Sequence, residues 1–408
     1  GGGGPEGGAA VHFAESATGR RVPRALLADC DPAGLADALA ARCFAPAGLL
    51  EGPEALRGRW GDLRSDRGGL CRAVMEGLRV QMEQADHVGC LVLTHSLTGF
   101  AGGGLAAGLM SQLAEDHAKV VRWSLALAPR PSGFSPTDCY NTLLSLYEAR
   151  QHISLLTLVD NEALEALAKS KPFGLGIEAP TLGDCNGLLG QVVAAFTGPM
   201  RGGLEASNAT EGWSDLQPWK AATSLVPYPR ANFTFACCAP ARPRGPAAPP
   251  ADADDSLVLQ CLEHGSMLSG AASSGKCLAT GVWCRGLAQG AAVESVGRYR
   301  SGAALQAAWV PTGFAIGSQH GVPPAGPEVV ALRNSTALLN KVSAPWGEAF
   351  DRHWQNLEGV DAYFESGVDA EEFREAREAL DWHAKDGDEL ETETAEGEGD
   401  EEGGGDAL

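Results

Sequence analysis

Positive charge is in short supply in this 408-residue chain: 31 Lys and Arg stand against 52 Asp and Glu, a formal charge of −21. The shortage is complete at the C-terminal end, where residues 386–408 hold eleven carboxylates and no Lys or Arg. A surface of this sign repels phosphate backbones, so nucleic acid is not expected as a partner and basic proteins are. No apolar run approaches the roughly 18 residues that cross a bilayer, so no membrane segment is expected. No signal-peptide pattern opens the chain, which starts on Gly1 rather than Met, as a processed chain or a fragment would. Metal-binding patterns are missing as well. The eleven cysteines include no C-x-x-C, the vicinal Cys237-Cys238 has the wrong spacing for a metal, and none of the nine histidines has a partner four residues away. Reduced thiols in a cytosolic chain are the expectation.

What the chain does contain is an alternation of short apolar strands and helical patterns. "RVPRALLA" (21–28) predicts a buried strand, "DCDPAG" (29–34) a turn, and a helix follows to about Arg42. Residues 46–68, rich in Gly, Pro and Arg, read as loop. Leu70, Val74, Leu78 and Met82 recur at helical spacing. A strand at 90–93 leads through "THSLTGFAGGG" (94–104) into a helix reaching about His117. Strand patterns at 121–129 and 152–161 alternate with helical ones at 140–149 and in "EALEALAK". This order predicts an α/β fold, a doubly wound parallel sheet with helices on both faces. Ligands of such sheets sit beyond the carboxyl ends of the strands. The segments "DCDP", "TGFAGGG", "PRPSGFSPTD" and "VDN" fall at that end. A long apolar helix is expected at 182–196. Strand-like segments at 233–238, 257–262 and 307–318 follow, around a Pro/Ala-rich insertion near 240–255. Amphipathic helices are expected at 334–354 and 368–385. From Asp386 on, the chain is acidic, Gly-rich and without aromatics, and is expected to be disordered.

Several of these segments together resemble the tubulin family, in the family's order and over nearly the whole chain. "THSLTGFAGGG" falls on the family's glycine-rich signature loop, and "VPRALLADCDP" (22–32) on its second nucleotide loop. "PRPSGFSPTDCYN" (129–141) resembles the sugar-binding loop. "VDNEAL" (159–164) and "APTLGDCNGLL" (179–189) resemble the guanine-binding segments. "SLVPYPR" (224–230), "KCLATGVWCRG" (276–286), "WVPTGFAIG" (309–317) and "EEFREARE" (371–378) match later parts of the family. The resemblance implies a GTP-binding domain over 1–181 without its first strand, a central helix at 182–200 and an intermediate α/β domain at 201–333. C-terminal helices at 334–385 and an acidic tail at 386–408 complete it. It also implies GTP or GDP as ligand, other tubulin subunits as partners, and a cytoplasmic, cytoskeletal setting in a microtubule or a specialised centriolar or axonemal assembly. The tail would receive basic associated proteins or motors.

Carried over residue by residue, the resemblance puts guanine between Asn161 and Asn186, whose amides each offer a donor and an acceptor. As local sequence alone, these are a turn residue and a polar residue at a helix start. Leu182 stands where the family stacks a tyrosine on the base, and Asp138 where an acidic residue meets the ribose. Gly99, Gly102, Gly103 and Gly104 remain from the signature loop, where close approach of backbone to phosphate needs positions without a Cβ. Thr98 and Phe100 replace two glycines, and Ala101 replaces a phosphate-facing threonine. Arg57 and Arg59 stand near the family's missing Ala-Gly-Asn-Asn loop, either as compensating charges or as solvated loop residues. Asp29 and Asp31 are the Mg²⁺ candidates, with a capped turn as the alternative. The family's opening strand and first phosphate loop lie upstream of everything seen here, which reads as a shortened record. Lys220 takes the place of the alpha-type glutamate that activates water in a neighbouring subunit, and a lysine cation is no general base there.

Three functions compete at this point. One is a GTP-binding structural tubulin subunit. Another is an assembly-incompetent pseudo-GTPase acting as a protein-binding module. The third is a dinucleotide enzyme, for which "GGGLAA" (102–107) has alanine in place of the last glycine of G-x-G-x-x-G, a tolerated change, and against which the guanine-type segments and the acidic tail count.

Overall fold

The computed structural model describes residues 9–16, 19–56, 58–129, 134–171, 174–201, 216–241, 256–262, 267–269, 275–302, 307, 310, 313–319 and 326–392. A short helix α1 (Ala9–His12) precedes an antiparallel pair, β1 (Phe13–Glu15) with β2 (Arg21–Pro23). Then come β3 (Leu27–Asp29), α2 (Pro32–Ala41), β4 (Leu49–Glu51), α3 (Trp60–Arg64) and α4 (Leu70–Glu83). Strand β5 (Cys90–Ser96) enters a π-helical turn, Phe100–Leu105, that continues as α5 (Ala106–Asp116). The pattern repeats in β6 (Val121–Ala128), α6 (Pro136–His152), β7 (Leu155–Asp160), α7 (Asn161–Lys169) and α8 (Leu182–Arg201). The second half holds α9 (Pro218–Leu225), β8 (Phe233–Ala239), α10 (Ser256–Leu262), β9 (Cys277–Arg285), α11 (Gln289–Gly302), β10 (Phe314–Gln319) and β11 (Glu328–Ser335). Helices α12 (Thr336–Trp354), α13 (Asp361–Glu365) and α14 (Ala370–Thr392) close the chain.

Seven strands form one sheet in the order β10-β9-β11-β8-β7-β6-β5. From β5 through β8 every pairing is parallel, whereas β11 runs antiparallel to both β8 and β9. The expected α/β fold with helices on both faces is present. The later strands do not build a sheet of their own: the pairings of Leu156, Thr157 and Leu158 with Phe233, Thr234 and Phe235 join the two halves. Strands β8 and β11 are buried at every residue, as strands covered on both faces should be. The period-2 alternation sorts side chains between two cores. Leu156 and Leu158 meet Tyr140, Phe350 and Phe373 on the side of α6, α12 and α14. Leu155 and Val159 meet Trp123, Phe196 and Leu188 on the side of α7 and α8.

Several sequence expectations shift. The run at 257–262 is helical, because Leu257, Val258, Cys261 and Leu262 are buried at i, i+1, i+4 and i+5. A six-residue apolar run cannot tell that spacing from a strand. The strand expected at 21–28 is divided into β2 and β3. The supposed loop 46–68 contains β4 and α3, and Trp60 of α3 is fully buried. Helix α14 continues past Lys385 to Thr392, so the acidic segment begins inside the folded body. Asp386 is buried between Arg150 (2.9 Å) and Arg230 (3.4 Å), and Leu390 joins the core. Residues 393–408 and most of the insertion near 240–255 lie outside the described residues.

Candidate nucleotide site

Register places the candidate segments side by side. Ser96 pairs with Leu127, Leu127 with Val159, and Ala128 with Asp160, so β5, β6 and β7 end in one row. At about 4.8 Å per strand, that row spans roughly 10 Å from the glycine turn to Asn161. The fourth segment, Asp29-Cys30-Asp31, follows β3 in the separate β3–β4 pair. The seven-stranded sheet ends at β5, and a cavity of about 540 Å³ lies between β3 and β5 beneath the glycine turn. Its walls include Leu26, Ala28, Asp29, Asp31, Leu93, Ser96, Gly99, Phe100, Gly102, Leu105 and Leu109.

The glycine turn is held by buried side chains on both flanks. His95 Nδ1 is 2.8 Å from the carbonyl oxygen of Gly102, and its Nε2 is 2.8 Å from Ser124 Oγ. A carbonyl only accepts, so Nδ1 carries the proton and Nε2 accepts from the serine hydroxyl. Burial pushes the imidazole down to about 4, against a smaller opposing contribution from the Gly102 carbonyl. On the other flank, the Asn141 amide donates to the carbonyl of Thr98 at 2.6 Å. Neither anchor stands out in the sequence: His95 closes an apolar strand, and Asn141 sits unmarked in a helical run.

The four retained glycines divide into two kinds. A Cβ at Gly103 would lie 2.8 Å from Trp60 Nε1 and 2.7 Å from Ser145 Oγ. One at Gly104 would collide with the Trp60 carbonyl, and one at Gly102 would lie 2.7 Å from that of Ser96. Gly103 and Gly104 are buried and are absent from the cavity wall, so packing against α3 and α6 explains them. Gly99 is open, with nothing nearer than 3.5 Å to a Cβ, and it faces the cavity. Phe100 neither leaves the cleft nor blocks it; it lines the wall and packs on the small core of Cys30, Leu63 and Leu70.

Asp138 is engaged locally. Its carboxylate accepts from Ser135 Oγ (2.7 Å) and N (3.3 Å), closing the capping box of α6. Asn161 and Asn186, by contrast, make no side-chain hydrogen bond among the described residues. Asn161 is half-buried at the start of α7, and Asn186 is exposed on α8. These two helices pack against each other. Leu182, first residue of α8, is 79% exposed, an apolar side chain presented to solvent beside the two amides' helices.

Asp31 caps α2 through a hydrogen bond from the Ala33 N–H (3.1 Å), and Asp29 accepts from the Asp31 N–H (3.0 Å). Both still line the cavity. No group of three or more His, Cys, Asp or Glu side chains gathers for a metal among the described residues. Mg²⁺ needs no such cage, since one or two carboxylates plus phosphate oxygens and water complete its octahedron. The donor set therefore fits that ion. Among its described lining residues the cavity has no Lys or Arg. Arg59 is held by Asp62 and lies 4.0 Å from Glu365, and Arg57 falls outside the described residues. Lys220 is exposed on α9 and makes no ion pair among the described residues, while its neighbour Trp219 packs over Gly89.

Comparison with known proteins bears on the sequence resemblance. Residues 6–169 match the Tubulin/FtsZ family, GTPase domain. The chain is 29% identical to the tubulin alpha-3 chain of Saccharomyces cerevisiae over 395 residues, 92% of this chain and 86% of the relative. It is 29% identical to the tubulin alpha chain of Eremothecium gossypii, covering 92% and 85%. With the tubulin alpha-B chain of Neurospora crassa it shares 28% over 413 residues, covering 97% and 89%. Over nearly its whole length the chain is therefore similar to alpha-tubulin chains, and its N-terminal part resembles that family's GTPase domain.

Proposed function

We propose that this protein is a GTP-binding structural subunit that assembles with other tubulin subunits, in microtubules or in a specialised centriolar or axonemal array, and does not trigger its neighbour's hydrolysis. The observation that carries the reading is the pair of unengaged amides, Asn161 and Asn186, on the packed helices α7 and α8, the second of which begins with the exposed Leu182. Neither amide is committed to a protein partner, and each offers the donor and acceptor that a guanine edge requires. Gly99 and the start of the π-helical turn, whose first N–H groups have no partner within the turn, serve the phosphates. Asp29 and Asp31 would hold Mg²⁺, which would supply positive charge for the phosphates on a wall that has two carboxylates and no described cation. Asp138 caps α6 through Oδ2 alone, which leaves Oδ1 to meet the ribose.

Lys220 supports a subunit that covers a neighbour's nucleotide without activating water. The acidic C-terminal end is read as a landing surface for basic associated proteins or motors in the cytoplasm. A second reading, a pseudo-GTPase binding module, draws on Gly103 and Gly104: their approach is to Trp60 and Ser145, not to a ligand. Binding of guanosine, GDP and GTP, each with and without Mg²⁺, separates the two. The first reading requires Mg²⁺-dependent tightening from guanosine to GTP. Binding that ignores the phosphates supports the second.

A further inference from the structure

The carbonyl of Thr98, at the entry to the glycine turn, accepts from Asn141 Nδ2 at 2.6 Å. The other end of that amide, Oδ1, lies 2.7 Å from the hydroxyl of Tyr363, which is 222 residues away in sequence on α13. The orientation is settled by chemistry. Thr98 C=O only accepts, so the NH₂ faces it, and Tyr363 must then donate to Oδ1. The alternative acceptor for the same hydroxyl, the Thr137 carbonyl, is at 3.4 Å. Both Asn141 and Tyr363 are buried, so neither bond has water as a substitute. Tyr363 is itself set in the C-terminal helical layer: its ring meets Phe373 of α14 edge-on at 5.7 Å and Tyr140 of α6 at 5.5 Å. Ser366, three residues on, is packed so closely on α3 that a Cβ at Gly61 would lie 2.6 Å from it.

We infer that Asn141 and Tyr363 are positioning residues through which the C-terminal helical layer sets the glycine turn. The reading rests on the proposed nucleotide site and adds its regulation. A partner that shifts α13 relative to α6 loosens or tightens the hold on Thr98, and a phosphate bound at the turn is felt at α13 in return. A buried amide satisfied at both ends rigidifies its surroundings, and losing either bond leaves a buried polar group unpaired.

Tyr363→Phe removes the hydroxyl and keeps the ring. Amide hydrogen exchange of the unliganded full chain is expected to quicken about fivefold or more over residues 97–105, with β7 unchanged. Unchanged protection at 97–105, or an equal rise everywhere, overturns the inference. In the wild type, GTP is expected to protect 361–368 together with 97–105. Protection of the turn without 361–368 also overturns it, and this second measurement decides if Tyr363→Phe does not fold. If GTP protects neither segment, the nucleotide reading fails, and the unliganded comparison alone judges the coupling.

Discussion

His95 donates from Nδ1 to the carbonyl of Gly102 at 2.8 Å, joining the end of β5 to the middle of the glycine turn. The bond closes a seven-residue loop whose apex faces the cavity. Burial favours the neutral ring, in which Nε2 accepts from Ser124.

Stability should therefore fall in mild acid. Burial lowers His95 to about 4 and His383 to about 3, both below the ordinary 6.5. Between these values and 6.5 the unfolded chain binds more protons, so stability is full above pH 6.5 and is lost as pH falls toward 4. Each histidine contributes up to about 1.4 kcal/mol per pH unit in that window. Urea midpoints from pH 7.5 to 4.5 should decline, and His95→Asn should flatten the slope. An equal slope in the variant contradicts the assignment.

The glycines should separate into structural and ligand-facing positions. Gly104→Ala drives a methyl into the Trp60 carbonyl, and overpacking of this kind costs about 1–3 kcal/mol. Gly99 has an extended backbone (φ −71°, ψ 148°) and room for a methyl, so Gly99→Ala should leave the unfolding midpoint in place and weaken triphosphate binding alone. Matched denaturation and binding curves test both.

Asn161→Ala and Asn186→Ala should each weaken guanosine binding about tenfold while shifting stability by no more than about 0.5 kcal/mol. Neither amide holds the fold, so a large loss of stability in either variant would show a structural role. Leu182→Tyr restores an aromatic face and should tighten guanosine binding, since stacking on an aromatic ring contributes about 1–3 kcal/mol per base.

Asp386 joins α14 to the body through Arg150 and Arg230. Its carboxylate is buried while Arg230 is largely exposed, so loss of the carboxylate strands no buried charge and costs about 1.5–3 kcal/mol, the scale of a hydrogen bond to a charged group. Asp386→Ala should lower the melting temperature, whereas Glu389→Ala, at an exposed position on the same helix, should not.

The strand–turn–helix around the signature loop was legible because each element has a local cause: an apolar run, a glycine cluster, a helical period. The helix start at Asp31 was equally local, since its cap lies within three residues, whereas the helical pattern at 140–149 misses the capping box at Ser135. Less legible was why the glycines are glycines. Gly103 and Gly104 answer to Trp60, over forty positions away, in a segment whose Gly, Pro and Arg content read as loop. The continuity of the sheet rests on the pairing of Leu156 with Phe233, which no local pattern announces. Helix α14 outlasts its apparent acidic stop because Asp386 meets two arginines from elsewhere in the chain. The open amides at Asn161 and Asn186 were readable only through family resemblance, since each is an ordinary residue in its own stretch.

The most direct test of the account is equilibrium binding of a fluorescent GTP analogue to the full-length protein with Mg²⁺, using GTP and ATP as competitors. Micromolar or tighter binding that GTP displaces, ATP does not, and chelation of Mg²⁺ abolishes is the predicted result. Absence of binding, or equal displacement by ATP, would contradict a guanine site built on Asn161 and Asn186.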